Sequence, residues 1–285
     1  MRRIARLLRW NRTSAYLMSV FVLIIGLIIY VWWPLAEEYL ALVDWQGRWW
    51  LQIDWLLIGI FVMMSLLLMA EADLKSDLLT VLVGAAGGLV IESWGTQTAI
   101  WTYYTQERPP LWIIPAWPIA SLAIVRIYRL LNHLTSRRVS EEVMQAAYWL
   151  ILPAFYALML IFVWPTLDRS LTIAALVLCA LLIASPTDHR AAVLMFAAGA
   201  GLGYFLELWG TTRLCWTYYT LEQPPLFAVL AHGMAALAFW RVDRLLRQLY
   251  GQWQARRSAR RLTMTQKAAS GAVSRGGIID GESQP

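Results

Sequence analysis

The chain reads, at residues 92–111, ESWGTQTAIWTYYTQERPPL, and repeats this segment 115 positions later, at residues 207–226, as ELWGTTRLCWTYYTLEQPPL. Of the 20 aligned positions, 13 are identical, including the first glutamate of each copy and the blocks WTYYT and PPL. The shared residues are polar or amphipathic, whereas the chain around them is overwhelmingly apolar. The two copies indicate either a duplicated site whose polar residues have a common task or two helix connections that tandem duplication has copied.

The sequence around the two copies has the composition of a membrane protein. Hydrophobic residues make up 59% of the 285 residues and charged residues only 15%, and the apolar stretches reach the length of about 20 residues that crosses a bilayer. The period-two alternation of barrel strands is absent, so we predict an all-α polytopic membrane protein. About eight transmembrane helices are expected, at residues 14–36, 50–71, 77–94, 111–131, 143–165, 170–186, 189–208 and 225–246.

The basic residues predict the orientation of these helices. With eight spans and both termini in the cytoplasm, 20 of the 24 lysines and arginines lie inside, and only Arg48, Arg108, Arg169 and Arg213 lie outside. The motif loops are then extracytoplasmic in a multi-pass protein of the plasma (inner) membrane. This pattern accounts for the net charge of +6, so membrane lipids and not nucleic acid are the expected partners.

The spacing of the motifs predicts the domain organisation. A period of 115 residues contains four predicted helices, and because four is even, corresponding helices cross the membrane in the same direction, as parallel repeats do. We expect a basic cytoplasmic N-terminus (1–13), a first four-helix repeat (14–135), a second four-helix repeat (136–249) and a disordered, basic cytoplasmic tail (250–285).

Glycine spacing predicts where the repeated glutamates point. Gly84, Gly88 and Glu92 are four residues apart on one helix, and the same spacing leads to Glu207 in the second copy. Residues four apart share a helix face, and a glycine face lets a neighbouring helix approach. We therefore expect the third and seventh helices to pack through their glycine faces, with each glutamate directed at protein and not at lipid.

The candidate site residues are the two glutamates and the aromatic and polar residues near them. Most tryptophans fall in the predicted outer half of the molecule, which suggests an aromatic-lined cavity near the outer leaflet. Asp54 is an intramembrane acid, and His232 replaces Trp117 in the second copy. We name Glu92 and Glu207 as candidate catalytic residues, and for substrate binding Trp94, Trp101, Tyr103, Trp209, Trp216, Tyr218, Asp54 and His232.

No cofactor is expected, because nothing resembles a phosphate loop or a dinucleotide-binding fingerprint. No metal is expected either: His232 and the two glutamates could hold an ion, but no short His/Glu ligand motif accompanies them.

Residues 88–118, GLVIESWGTQTAIWTYYTQERPPLWIIPAWP, resemble the membrane proteins of carotenoid biosynthesis that hydrate the end of a polyene. Those proteins have a Glu-x-x-Gly-Thr-x-Thr segment, a Tyr-x-Tyr-Thr loop and an Ile-Pro-x-Ala-Trp re-entry; the glycine that follows their Thr-x-Thr is Ala99 here and Leu214 in the second copy. A fainter likeness to lycopene cyclase domains lies in the spacing of Gly, Trp and Tyr, but their Pro-x-Glu-Glu segment is absent.

The resemblance implies an enzyme that protonates a C=C bond of a lipid-soluble isoprenoid or carotenoid, of the hydratase or cyclase type. If Glu92 and Glu207 meet across the repeat axis, one acts as the acid and the other handles water. The ring faces of Trp101, Tyr103, Trp216 and Tyr218 would then stabilise the carbocation. The alternative from the same residues is a non-catalytic membrane protein that binds or transports a lipid or small molecule through an aromatic cavity.

Overall fold

Helices form nearly all of the regular structure in the computed structural model, which describes residues 11–70 and 72–276, with side chains to residue 258. The helices are α1 (Arg12–Ala41), α2 (Trp55–Met69), α3 (Leu74–Gln97), α4 (Ala116–Thr135), α5 (Glu141–Phe162), α6 (Ser170–Ala184), α7 (His189–Thr212) and α8 (Leu226–Gly276). Two short strands, β1 (Trp101–Tyr103) and β2 (Trp216–Tyr218), lie in the motif loops. The predicted all-α class is confirmed, and each predicted apolar segment contains one helix.

Five helices are long and apolar enough to cross a membrane. They are α1, α3, α5, α7 and the part of α8 from Leu226 to Ser258. Large apolar side chains cover their outer surfaces; Tyr30 is 80% exposed, and Leu23, Leu150 and Ile161 are each 73% exposed. Such a surface is costly in water and is solvated well by acyl chains. The chain is a multi-pass membrane protein.

The other three helices, α2, α4 and α6, are each too short or too polar to be counted among these spans. Helices α2 and α6 have 15 residues each, which corresponds to about 22 Å of rise against about 30 Å of hydrocarbon. Helix α4 has 20 residues but carries Arg126 and Arg129.

Several elements recur at the motif spacing of 115 residues. Helix α6 starts and ends 115 positions after α2, α7 does so relative to α3, and β2 relative to β1. Left-handed backbone recurs in the same way, at Ala99 and Leu214 and at Gln106 and Leu221. The two motif copies therefore have the same local structure as well as similar sequences.

Helix α4 starts later than the sequence predicted. The chain makes turns after Pro110, with Ile113 donating to the Pro110 carbonyl and Ala116 to the Ile113 carbonyl, and α4 begins only at Ala116. Pro115 and Pro118 account for the delay, because proline has no N–H to give and is tolerated only in the first turn of a helix. In the second copy no such prolines follow, and α8 begins at Leu226, directly after the proline pair.

The C-terminal helix is longer than predicted. Contacts divide the chain into a unit of residues 1–240 and a unit of residues 241–285. Helix α8 runs to Gly276, so residues 250–276 are helical where we expected disorder. The segment is rich in Arg, Ala and Gln, which are strong helix formers, and Asp243 pairs with Arg247 one turn later. Most of the N-terminal segment 1–13, and residues 277–285, lie outside the described residues.

Helix packing confirms the predicted role of the glycines and identifies their neighbours. A side chain at Gly84 would meet Ser121 and Pro118 of α4, and one at Gly88 would meet the ring of Trp117. In the second copy Gly199 and Gly203 lie against α8, at Gly233 and His232. Each glycine face therefore receives the next helix of its own copy, and Glu92 and Glu207 are directed into protein, with 3% of each exposed.

Candidate functional site

The two motif loops are joined by an antiparallel strand pair. Strand β1 pairs with β2 so that Trp101 lies opposite Tyr218 and Tyr103 opposite Trp216, and Tyr104 N–H donates to the Cys215 carbonyl at 3.2 Å. Trp, Thr and Tyr suit strands because they pack well on a pleated surface. The sequence predicted a loop in each motif copy but not this pairing, which places the aromatic side chains of one copy beside those of the other.

Glu92 lies in a cluster of three neutral donors. Trp101 Nε1 donates to Oε2 at 3.1 Å, Tyr103 Oη to Oε1 at 2.9 Å, and Trp117 Nε1 to Oε1 at 3.1 Å. These four residues are the first cluster. Bonds from N–H and O–H groups to a carboxylate stabilise its charged form in a place that water does not reach.

Glu207 lies in a second cluster that repeats the first with one change. Trp216 Nε1 donates to Oε2 at 2.8 Å and Tyr218 Oη to Oε1 at 2.9 Å. The third partner is His232, whose Nδ1 lies 3.6 Å from Oε1 and 3.0 Å from the Ala228 carbonyl. Both of these neighbours are acceptors when Glu207 is ionised, so Nδ1 then carries a proton and Nε2 is the nitrogen that can exchange one.

A glycine in each copy positions the tryptophan that bonds the glutamate. A side chain at Gly95 would overlap the indole of Trp101, and one at Gly210 would overlap the indole of Trp216. Each ring therefore lies directly on helix backbone, with its N–H directed at the carboxylate three residues earlier in the helix. This close approach explains why the shared sequence keeps Gly immediately after the shared Trp.

The two clusters contact each other through their rings. Trp101 lies 5.8 Å from Tyr218 and Tyr103 lies 5.8 Å from Trp216, centroid to centroid. Trp117 and His232, which occupy the same position in the two copies, stack at 5.9 Å with an angle of 9° between the ring planes. Glu92 and Glu207 are thus linked across the two copies by aromatic rings.

The two phenols of the clusters are held neutral. Burial raises the pKa of Tyr103 and of Tyr218 well above the ordinary value, and the neighbouring glutamate raises each further. Both residues therefore act as O–H donors throughout the physiological pH range.

Two predicted site residues, Trp94 and Trp209, do not bond the glutamates. Trp94 Nε1 donates to Thr172 Oγ1 of α6 at 3.2 Å, and Trp209 Nε1 donates to Asp54 Oδ2 at 2.9 Å. Each motif thus bonds the start of the short helix that belongs to the other half of the chain. The two rings also pack against the clusters: Trp94 packs edge-to-face on Trp101, and Trp209 packs on Trp216.

Asp54, also a predicted site residue, belongs to this supporting contact. It caps α2 by accepting from Leu57 N–H and pairs with Arg213 Nε at 2.9 Å. Its carboxylate also accepts from Trp209 Nε1, so three donors converge on it. Asp54 is therefore an ionised anchor for the second motif and does not bond Glu207.

Three tryptophans near the clusters were missing from the predicted site. Trp117 could have been found, because it aligns with His232 at the 115-residue spacing. Trp32 and Trp112 have no such signal: they lie outside the motif copies, and only the fold brings their rings to 5.6 Å from each other, with Trp32 4.8 Å from Trp209 and Trp112 5.4 Å from Tyr103.

Among the described residues, no group of three or more His, Cys, Asp and Glu side chains is placed to hold a metal ion. Comparison with protein-family models, with curated proteins and with solved structures gives no match for this chain.

Proposed function

We propose that this protein is an integral membrane enzyme that protonates a C=C bond of a lipid-soluble isoprenoid or carotenoid, of the hydratase or cyclase type. The observation that carries the proposal is the pair of buried glutamates, each bonded to an indole and a phenol and linked by aromatic rings. Protonation of carbon needs an acid away from water and a surface that tolerates a carbocation. Ring faces supply that surface through cation–π attraction.

Glu92 suits the role of the acid. In the proposed step its carboxyl proton goes to one alkene carbon, the π electron pair forms the new C–H bond, and the positive charge resides on the more substituted carbon. The carboxylate left behind is stabilised by three donors already in place, and preorganised donors of this kind lower the barrier to forming a charge.

Glu207 suits the role of the base. In a hydration, a water oxygen bonds to the cation and one water proton passes to Glu207; in a cyclisation, Glu207 takes a proton from the carbon beside the cation. His232, which is 19% exposed at the side chain, offers an imidazole for exchanging that proton with the surroundings. A proton then returns to Glu92, which restores the starting state.

The proposed membrane arrangement has eight spans in two parallel four-helix repeats. The exact 115-residue offset of α2 and α6, and of α3 and α7, supports the repeats. The short helices α2 and α6 are each preceded by a 3-10 turn, Trp49–Leu51 and Trp164–Thr166, which lengthens the crossing. The excess of basic residues near the opposite helix ends supports an orientation with both termini in the cytoplasm and the motif loops on the outer side of the plasma (inner) membrane.

Cysteine labelling tests this arrangement. The loop residues Glu107 and Glu222 are exposed, so a cysteine at either is expected to react with an impermeant maleimide added outside cells. Native Cys215 is buried, and burial raises the pKa of its thiol to about 12, which keeps it unreactive; Cys179 is replaced by Ser in the test chain. Labelling only after the inner face is opened would reverse the orientation.

A second candidate function is a non-catalytic protein that binds or transports an isoprenoid or small molecule. The observation that favours it is that both oxygens of each glutamate already accept hydrogen bonds from the chain. A polar network in which every hydrogen bond is made can have a purely structural role, which is to hold an aromatic binding surface in place.

The test compares isoprenoids and pigments extracted from a carotenoid-producing host with and without the protein. The enzyme predicts a new product that depends on both glutamates, so that Glu92→Gln and Glu207→Gln each lower its yield by at least about 100-fold. Glu107→Gln and Glu222→Gln are matched controls, because these glutamates are equally repeated but exposed. Altered uptake with unchanged products, or near-normal conversion by both site variants, would favour the binding protein instead.

A further inference from the structure

Two indole N–H groups are buried beside the first cluster without an acceptor. In the part of the chain with described side chains, neither Trp32 Nε1 nor Trp112 Nε1 has a hydrogen-bond partner, although both atoms are inaccessible to solvent. The two rings meet edge-to-face at 5.6 Å. A buried donor with no acceptor destabilises a fold, and such donors are rare. Two of them on touching rings point to an acceptor that the chain does not provide.

The second copy has no donor at the position that aligns with Trp112. The residue 115 positions after Trp112 is Phe227, which is buried and stacks on Phe162 at 4.2 Å. A phenyl ring, with nothing to donate, therefore stands at the aligned position of the second copy. The donor of Trp112 is thus a feature of the first copy alone.

The two donors lie one ring away from the proposed acid. Trp112 contacts Tyr103 at 5.4 Å, and Tyr103 bonds Glu92. On the other side, Trp32 contacts Trp216 at 6.2 Å, and Trp216 bonds Glu207. A molecule that accepts from Trp32 or Trp112 is thus held beside the rings of both clusters.

We propose that Trp32 and Trp112 bind an oxygen atom carried by the isoprenoid ligand, so that the ligand is an oxygenated isoprenoid and not a pure hydrocarbon. An indole N–H can only donate, so the ligand atom must accept. A neutral hydroxyl, carbonyl or ether oxygen suits the site, because the surrounding rings bring no cation to compensate a buried charge. The class of ligand rests on the proposed function; the oxygen preference rests on the two unpaired donors.

The experiment uses the full chain in lipid nanodiscs and two probes, farnesol and the hydrocarbon with the same skeleton but no hydroxyl. Binding is measured by scintillation proximity with labelled compounds. Wild type is expected to bind farnesol at least about fivefold more tightly than the hydrocarbon, the ratio typical of one neutral hydrogen bond. Trp32→Phe and Trp112→Phe keep an aromatic ring but remove the donor, and we expect at least one of them to bring the ratio close to one.

Trp45→Phe is the matched control, because Trp45 is exposed in the loop before α2, and its ratio is expected to equal that of wild type. Thermal unfolding without ligand checks that each variant is folded; the smaller ring loses some packing, so the unfolding temperature should fall slightly. The proposal would be overturned if wild type bound both probes equally, or if both Phe variants kept the wild-type preference for farnesol. Bound water would then be the acceptor for the two donors. Failure of the enzyme proposal is visible separately, as farnesol preference without any new product.

Discussion

The first and second clusters are built alike except at one partner of each glutamate. Glu92 and Glu207 each accept from an indole and a phenol of their own strand, at nearly equal distances. The third partner is Trp117 in the first cluster and His232 in the second. Gly88 and Gly203 leave space for these two rings in the same way, so the difference lies in chemistry and not in the room available.

A second difference lies in how each motif is attached to the other half of the chain. Trp94 donates to a threonine hydroxyl, Thr172, which is itself bonded to Thr166. Trp209 donates to a carboxylate, Asp54, which also binds Arg213. In both comparisons the partner in the first copy is a neutral side chain, and the partner in the second copy is ionisable. The copies therefore share their packing and differ in the chemistry of these partners.

The largest expected effect concerns a feature that both copies share. Gly95→Val or Gly210→Val would push the indole of Trp101 or Trp216 off the helix backbone, and overpacking of this kind costs about 3 kcal/mol. We expect each variant to lose most of its folded yield in detergent, measured by size-exclusion chromatography and thermal unfolding. Gly59→Val and Gly201→Val are controls, because nothing lies within 4 Å of a side chain at either position. If one motif glycine tolerated valine, the two copies would not be equivalent in packing.

The next effect exchanges the partners that differ. His232→Trp makes the second cluster a copy of the first and removes its imidazole, so we expect isoprenoid conversion to fall by about 10- to 100-fold through loss of proton exchange. Trp117→His should cost less, because Glu92 keeps two neutral donors. Conversion is measured at matched protein levels. Unchanged turnover in His232→Trp would show that the asymmetry between clusters has no part in catalysis.

A smaller effect concerns the charged attachment of the second motif. Asp54→Asn should lower the free energy of unfolding by about 1 kcal/mol at pH 7, a modest value because Arg213 is partly exposed and screened by solvent.

Urea titrations of wild type and Asp54→Asn at pH 7 measure this loss. Asp168→Asn, at an exposed carboxylate next to Arg169, should match wild type. Equal stability of wild type and Asp54→Asn would mean that the charge of Asp54 does not hold the second motif in place.

The smallest expected effect on stability concerns the two indole hydrogen bonds that attach each motif to the other half of the chain. Trp94→Phe removes one neutral hydrogen bond and leaves Thr172 bonded to Thr166, which should cost about 0.5–1 kcal/mol. Trp209→Phe removes a bond to a carboxylate and should cost about twice as much. Differential scanning calorimetry of the two variants measures the difference, and equal losses would contradict the distinction between a neutral and a charged attachment.

The sequence predicted the helices well because their signal is local. An apolar run of about 20 residues must be helical in lipid, and the glycine spacing before Glu92 and Glu207 indicated their inward direction correctly. The predictions failed where local rules compete. Pro115 and Pro118 delayed α4, and the Arg- and Ala-rich segment after residue 249 continued as helix without apolar periodicity.

The sequence predicted the partners of the glutamates only where they lie in the repeated segments. Four candidates from the repeated segments do bond the two glutamates, namely Trp101, Tyr103, Trp216 and Tyr218. Asp54, Trp94 and Trp209 do not bond the glutamates, and sequence spacing alone could not give the direction of a side chain at a helix end. Trp32 and Trp112 could not be predicted as members, because the contacts that bring them there are long-range and have no counterpart in the repeated segment.

The strand pair sets an order of events during synthesis. Strand β1 has no partner until β2 has been made, 115 residues later, and at a translation rate of about 5–20 residues per second this interval lasts about 6–23 s. Throughout it the edge of β1 is unpaired and open to another strand. A chain that stalls between the two motifs therefore keeps an unpaired strand edge that can bind another strand, although the three donors to Glu92 are already made.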